Sequence, residues 1–191
     1  MKKWTSLVSL CALVLGFQCY SQESKNELAL DIILPDFTEA HQSIIEYTAS
    51  MAKHSTLLQV LKAANLDEVL AYTGEFTVFA PTNLAFEKLS HITIDKLLDP
   101  KNKKALTSIL SYHIIAGKFS ASSILRAMCR GNGKANFTTI QGEKITASMK
   151  GLDIILTDKD GNQATILTAD SNQSNGVIHE IDTVFLPAKL F

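Results

Sequence analysis

The spacing of apolar residues changes partway along this chain, and that change limits the folds open to it. In the first half they recur at helical intervals. Ile44, Ile45, Ala49 and Met51 predict a helix over residues 38–52. Leu57, Leu58, Leu61 and Ala64 predict a second, entered at Ser55-Thr56 and closed at Asn65. A short helical piece over residues 67–72 is stopped by Gly74, and residues 93–98 supply another turn or two. Asp99-Pro100 starts a helix carrying Ala105, Leu106, Ile109 and Leu110, with proline at its first position. One strand interrupts the series: Phe76-Thr77-Val78-Phe79 is aromatic and β-branched, Pro81 ends it, and Thr82 or Asn83 caps the helix carrying Ala85, Phe86 and Leu89.

The second half alternates instead. Residues 112–115 are strand-like, Gly117 turns the chain, and Ser120 caps a short helix through Met128. After the Gly131-Asn132-Gly133 loop, strands are predicted over residues 137–140, 144–149, 152–157, 164–168 and 177–186. Gln141-Gly142, Lys150-Gly151 and the loop from Asp158 to Asn162 separate them, and Pro187 closes the last. Helices first and strands later imply an α+β fold.

The beginning of the chain follows a different logic. Lys2 and Lys3 precede an apolar run from Leu7 to Phe17, which gives way to Cys19-Tyr20-Ser21. A basic start, a short apolar stretch and small residues at its exit form a secretory signal over residues 1–21, with cleavage near Ser21. The run is shorter than the roughly 20 apolar residues that span a bilayer. Phe17 and Gln18 are large where a lipoprotein signal wants small residues, which argues against a lipid on Cys19. Residues 22–39 read as a flexible leader and 40–188 as one domain. The two signal lysines are among 18 basic groups facing 19 acidic ones, so the exported chain carries a net charge near −3. With no basic stripe, nucleic acid is not an expected partner. Cys11 and Cys19 leave with the signal; Cys129 then has no partner for a disulfide and is expected to pack as a small apolar residue.

Reactive constellations are sparse. A hydrolase would draw its base from His113 or His179 and its nucleophile from Ser111 or Ser174, but no Gly-x-Ser-x-Gly turn is present. The five histidines lack metal-ligand spacing, and no metal or cofactor is expected. Asp158 and Asp160 fall in a loop whose continuation, Gln163 to Leu167, supplies none of the further oxygens a calcium loop requires; Asp160-Gly161 is a hairpin turn. Asn136-Phe137-Thr138 and Asn172-Gln173-Ser174 match the glycosylation acceptor pattern, the first within an expected strand.

Three segments together carry a resemblance. The stretch from Phe76 to Phe86 (Phe-Thr-Val-Phe-Ala-Pro-Thr-Asn-Leu-Ala-Phe) resembles the first signature box of fasciclin domains, Tyr112 to Lys118 their central Tyr-His segment, and Asn175 to Pro187 their second box. Asn136 to Glu143 is similar to the family's linking strand and turn. The resemblance implies helices, mostly from the N-terminal half, packed on a wedge-shaped β-sandwich built mainly by the C-terminal half. It also implies a non-enzymatic adhesion or binding module, contacting an extracellular or envelope protein or glycan. The exported chain is expected to be monomeric, and no later segment is apolar enough to span a bilayer. In animal members the matching Tyr-His pair is implicated in integrin binding, which marks Tyr112 and His113 as candidate binding residues. Ile109, Leu110, Ile114 and Ile115 surround them, so both rings are also expected to be largely buried with their polar tips hydrogen-bonded. Thr82, Asn83 and His179 are expected to serve structure. A small exported hydrolase and a structural subunit of an envelope complex are the alternative roles.

Overall fold

A computed structural model describes residues 42–71, 74–89 and 91–186. The signal at 1–21 and the leader at 22–39 lie outside the described residues. Helix α1 spans Ile44–Ser50, and it is shorter than the spacing suggested because Ser43 starts it with a capping box, accepting from the Glu46 amide while Glu46 accepts from the Ser43 amide. Helices α2 (Ser55–Ala63) and α3 (Asp67–Ala71) follow, joined by Asn65 in the left-handed region at φ 58. Strand β1 (Phe76–Pro81) leads into α4 (Asn83–Glu87), α5 (His91–Leu98), a 3-10 turn capped by Asp99, and α6 (Lys103–Tyr112). The remainder is β2 (Ile114–Ala116), α7 (Ala121–Arg130), β3 (Lys134–Thr138), β4 (Lys144–Lys150), β5 (Asp153–Thr157), β6 (Gln163–Gln173) and β7 (Gly176–Ile181).

The seven strands form one sheet in the order β2-β1-β7-β6-β5-β4-β3. At its centre β1 and β7 pair in parallel, Phe76 opposite Gly176 and Pro81 opposite Ile181. Both are buried on their two faces, which explains their nearly unbroken apolar sequences. Val78, Ala80 and Ile178 face a cluster filled by Ile44, Leu61, Leu70, Phe86 and Leu106 from the helices. Phe79 and Ile181 face a second cluster with Ile124 and Met128 of α7 and Phe137, Ile145 and Leu156 of the later strands. The outer strands instead alternate, as in β3 and β4, with one face in this second cluster. Strand β6 bends through two bulges, with Asp170 at φ 63, and so serves both halves of the sheet. The sheet curls until its edges meet: Ile115 of β2 bridges Thr139, and the Ile140 amide donates to the Ile114 carbonyl at 2.8 Å. This is the expected α+β architecture.

Five local expectations are corrected. Tyr112 ends α6 instead of opening a strand, because the helical ladder runs on until His113 caps it. The strand placed at 137–140 begins at Lys134, directly after the glycine loop, and that placed at 164–168 runs on to Gln173, since bulges mask the alternation beyond Thr168. The last strand ends at Ile181, where Asp182 turns away to accept from the Thr165 amide. Cys129 is exposed, because Ile124 and Met128 define the buried stripe of α7 and Cys129 falls outside it.

Gly176 is required where β7 begins. It adopts φ +155, and a Cβ there would lie 2.0 Å from the Phe76 carbonyl oxygen. Gly142 also has positive φ, yet nothing lies within 4 Å of its would-be Cβ. Gly176→Ala is therefore expected to cost about 2–5 kcal/mol by urea unfolding, and Gly142→Ala only about 1–2 kcal/mol. Equal losses would contradict the close-approach explanation.

Candidate functional site

The residues singled out by sequence divide into internal staples and one surface cleft. Thr82 is the N-cap of α4, its Oγ1 accepting from the Ala85 amide. Asn83 does not cap that helix. Its side chain reaches back to the start of α2, accepting from the Thr56 amide at 3.1 Å and donating to the Ala52 carbonyl at 2.9 Å. Asn175, missed by sequence reasoning as a functional position, does the equivalent at the other end of the central pair. Its Oδ1 accepts from the Ile44 amide at 2.8 Å and its Nδ2 donates to the Leu70 carbonyl at 2.7 Å, tying α1 and α3 to β7. The clue was its place directly before Gly176 in the second box.

His113 is 2% exposed and fully engaged. Its Nδ1–H donates to the Ile109 carbonyl at 2.8 Å, and its Nε2 accepts from the Phe185 amide at 3.1 Å. Its own carbonyl accepts from the Phe79 amide at 2.9 Å. These partners fix one neutral tautomer, and burial holds the imidazole down to about 4, only partly offset by the bond to the Ile109 carbonyl. His179 is arranged the other way round. Its Nε2–H donates to the Phe119 carbonyl at 2.8 Å, its Nδ1 accepts from the Asp170 amide at 3.2 Å, and burial again lowers its pKa. Both nitrogens of both rings are thus occupied by main chain, and neither can take a proton from Ser111 or Ser174 without breaking a staple. His54, a further buried histidine, faces the Pro81 carbonyl and the Glu180 carboxylate, which Lys53 also binds. Burial pushes Glu180 up, but hydrogen bonds from Lys53, Thr168 and His54 outweigh it and leave the carboxyl below its usual range.

Tyr112 is different: it is half-buried and reaches the surface. Its ring packs edge-on against Phe185 at 5.8 Å between centroids, and its hydroxyl donates to the Lys144 carbonyl at 2.9 Å. Burial, together with the nearby Asp158, Glu143 and Asp160 carboxylates, pushes its phenol up to about 12, so it is neutral at physiological pH. Tyr112 forms one wall of a cleft of about 100 Å³ with Ile109, Phe185 and Leu186; Ser108, Gln141, Lys159 and the carboxylates of Glu143, Asp158 and Asp160 supply its polar rim. Adjacent residues in the sequence thus part company, His113 into the core and Tyr112 onto the cleft.

The rim is held by the loop once compared with a calcium site. Asp158 Oδ1 accepts from the Asp160 amide at 2.9 Å and the Asn162 amide at 2.7 Å, while Oδ2 accepts from the Asn162 side chain at 2.7 Å. The carboxylate closes its own turn. Lys159 then pairs with Glu143 at 2.7 Å, pinning this loop to the turn before β4. Among the described residues no group of three or more His, Cys, Asp or Glu side chains is placed to hold a metal ion.

His113 gives a signed pH dependence. Its folded pKa lies near 4, below the ordinary 6.5, so between those values the unfolded chain binds more protons and stability falls as pH falls. The full loss attributable to this residue is about 3 kcal/mol, developed between pH 6.5 and pH 4 and absent above pH 7. Urea unfolding from pH 7 to 4 is expected to show that slope in the native protein and a shallower one in His113→Gln, which also starts less stable. Parallel slopes would contradict the assignment.

The chain is similar to known proteins across most of its length. Protein sll1483 of Synechocystis sp. is 39% identical over 150 residues, covering 78% of this chain and 76% of that one. The cell surface glycolipoprotein MPB83 of Mycobacterium bovis is 35% identical over 147 residues, which is 73% of this chain and 60% of that relative. Among solved structures, a FAS1 domain pair from the insect cell adhesion molecule Fasciclin I superposes with a TM-score of 0.71 at 18% identity, over 79% of this chain and 53% of that one, and so shares the fold. The fasciclin domain model matches residues 52–187, spanning both boxes, the Tyr-His segment and the staples described above, and the chain belongs to the fasciclin domain family.

Proposed function

We propose that this protein is an exported adhesion-type binding module that holds a protein or glycan partner at the cell surface, in the envelope or outside it. The observation that carries the reading is the division of labour between the two members of the Tyr-His pair. His113 is consumed by the fold, while the adjoining Tyr112 presents an aromatic wall beside amide, hydroxyl and charged groups in a shaped cleft. An amphipathic aromatic on a rigid frame is what recognition surfaces use as an anchor. The cleft rests on α6 and on two pinned loops, so it is preorganised for binding.

Family membership supports the same reading, as does the cell-surface name of the mycobacterial relative. Among the described residues no helix is long and apolar enough to cross a membrane, which fits a domain released or displayed after processing at residues 1–21. The module is proposed to act as a monomer. The hydrolase alternative loses ground to the staples, which occupy every ring nitrogen of its two candidate bases.

The test is saturable binding of the purified exported protein to envelope fractions, matrix proteins and glycan arrays. Tyr112→Ala is expected to weaken that binding by about tenfold or more, with circular dichroism showing a folded domain. No saturable binding to any of these materials, or undiminished binding by folded Tyr112→Ala, would contradict the proposal.

A further inference from the structure

Beside the Tyr112 cleft lies a second, shallower depression of about 770 Å³, and its lining has one sign of charge. Lys101, Lys103 and Lys104 border it where the 3-10 turn enters α6, and no lining residue is acidic. None of the three ammonium groups forms an ion pair among the described residues. The carboxylate nearest in sequence, Asp99, is turned to the Lys101 amide at 2.9 Å. Three cations thus border one depression, on a chain whose overall charge is −1. An anion laid in the depression would meet like-signed partners, all opposite in charge to its own.

The depression is continuous with the cleft, because Ser108 and Gln141 line both. Their side chains make no hydrogen bond among the described residues, so a hydroxyl and an amide stand free at the junction. Pro100 is the one apolar lining residue of the depression. A protein partner would want a buried apolar anchor there, which the depression does not offer. The ammonium, hydroxyl and amide groups of the depression suit a hydroxyl-rich polymer that carries acid groups, whereas the adjoining cleft is lined by Glu143, Asp158 and Asp160.

From this geometry we infer that the depression bordered by Lys101, Lys103 and Lys104 binds an acidic polysaccharide, its carboxylate or sulfate groups on the lysines and its hydroxyls at Ser108 and Gln141, short of the carboxylates that line the Tyr112 cleft. The inference rests on the adhesion reading and narrows it to one partner class.

Calorimetry with the exported protein tests it, using polygalacturonate and dextran sulfate as acidic polymers, dextran as the neutral one and poly-glutamate as an acidic peptide. Both acidic polysaccharides are expected to bind, with affinity falling as salt rises, and dextran is not. Lys101→Gln/Lys103→Gln/Lys104→Gln is expected to weaken binding roughly tenfold. A control triple at exposed positions elsewhere, Lys118→Gln/Lys134→Gln/Lys150→Gln, changes the net charge equally and is expected to leave binding nearly intact. Equal losses in the two triples overturn the site, and poly-glutamate binding as tightly as polygalacturonate overturns the partner class. If Tyr112→Ala abolishes capture of an envelope component while the first triple does not, the adhesion reading stands and this inference falls.

Discussion

Strands β1 and β7 pair in parallel although Phe76 and its partner Gly176 stand a hundred residues apart in the chain. Closing so long a loop costs entropy that the pairing must recover, and parallel strands cannot be joined by a tight turn. The recovery comes from two sources. Both faces of the pair are buried, one under the helices and one against α7 and the later strands. Buried polar side chains then bolt neighbouring elements to the pair: Asn175 holds α1 and α3, His113 joins the end of α6 to Phe185, and His179 joins β7 to Phe119 and Asp170.

This arrangement decides where recognition can occur. A buried polar group that loses its partner pays a desolvation penalty of roughly 1–3 kcal/mol, so the staples are poor places to receive a ligand. What the frame leaves free are the edges of α6 and the two loops pinned by Asp158 and by Lys159 with Glu143. Tyr112 is the point where frame and surface meet, since its ring touches Phe185 on one side and lines the cleft on the other.

Much of the fold was legible because periodicity reports burial. The helical spacing of Leu57 and Leu61 and the alternation at Ile145 and Ala147 both named the correct faces, although Met149, next in that alternation, is exposed. The strand segment at Phe76 was recognised from composition alone, its burial on both faces leaving no period to read. Misreadings arose where a local signal was overridden from a distance. Tyr112 to Ile115 has strand-like residues, but the α6 ladder claims Tyr112 first. Strand β6 breaks its alternation at bulges that only pairing with β7 reveals. Cys129 was misplaced because α7 turns a narrow buried stripe inward. At the site, the Tyr-His pair was visible as a motif, yet nothing in one dimension separates a core histidine from a surface tyrosine beside it. The lysine-lined depression was invisible for the same reason: Gln141 joins it from a turn more than thirty residues downstream of the lysines.

Native-state hydrogen exchange tests the central claim most directly, because the frame makes a statement about four particular amides. Phe76 donates to the Asn175 carbonyl, Phe79 to the His113 carbonyl, Ile44 to Asn175 Oδ1 and Phe185 to His113 Nε2. If Asn175 and His113 fasten the central strand pair to the rest of the domain, all four amides exchange only through global unfolding and share its free energy. Exchange of Ile44 or Phe185 through a local opening, well below the global value, would show that the staples do not hold the frame together.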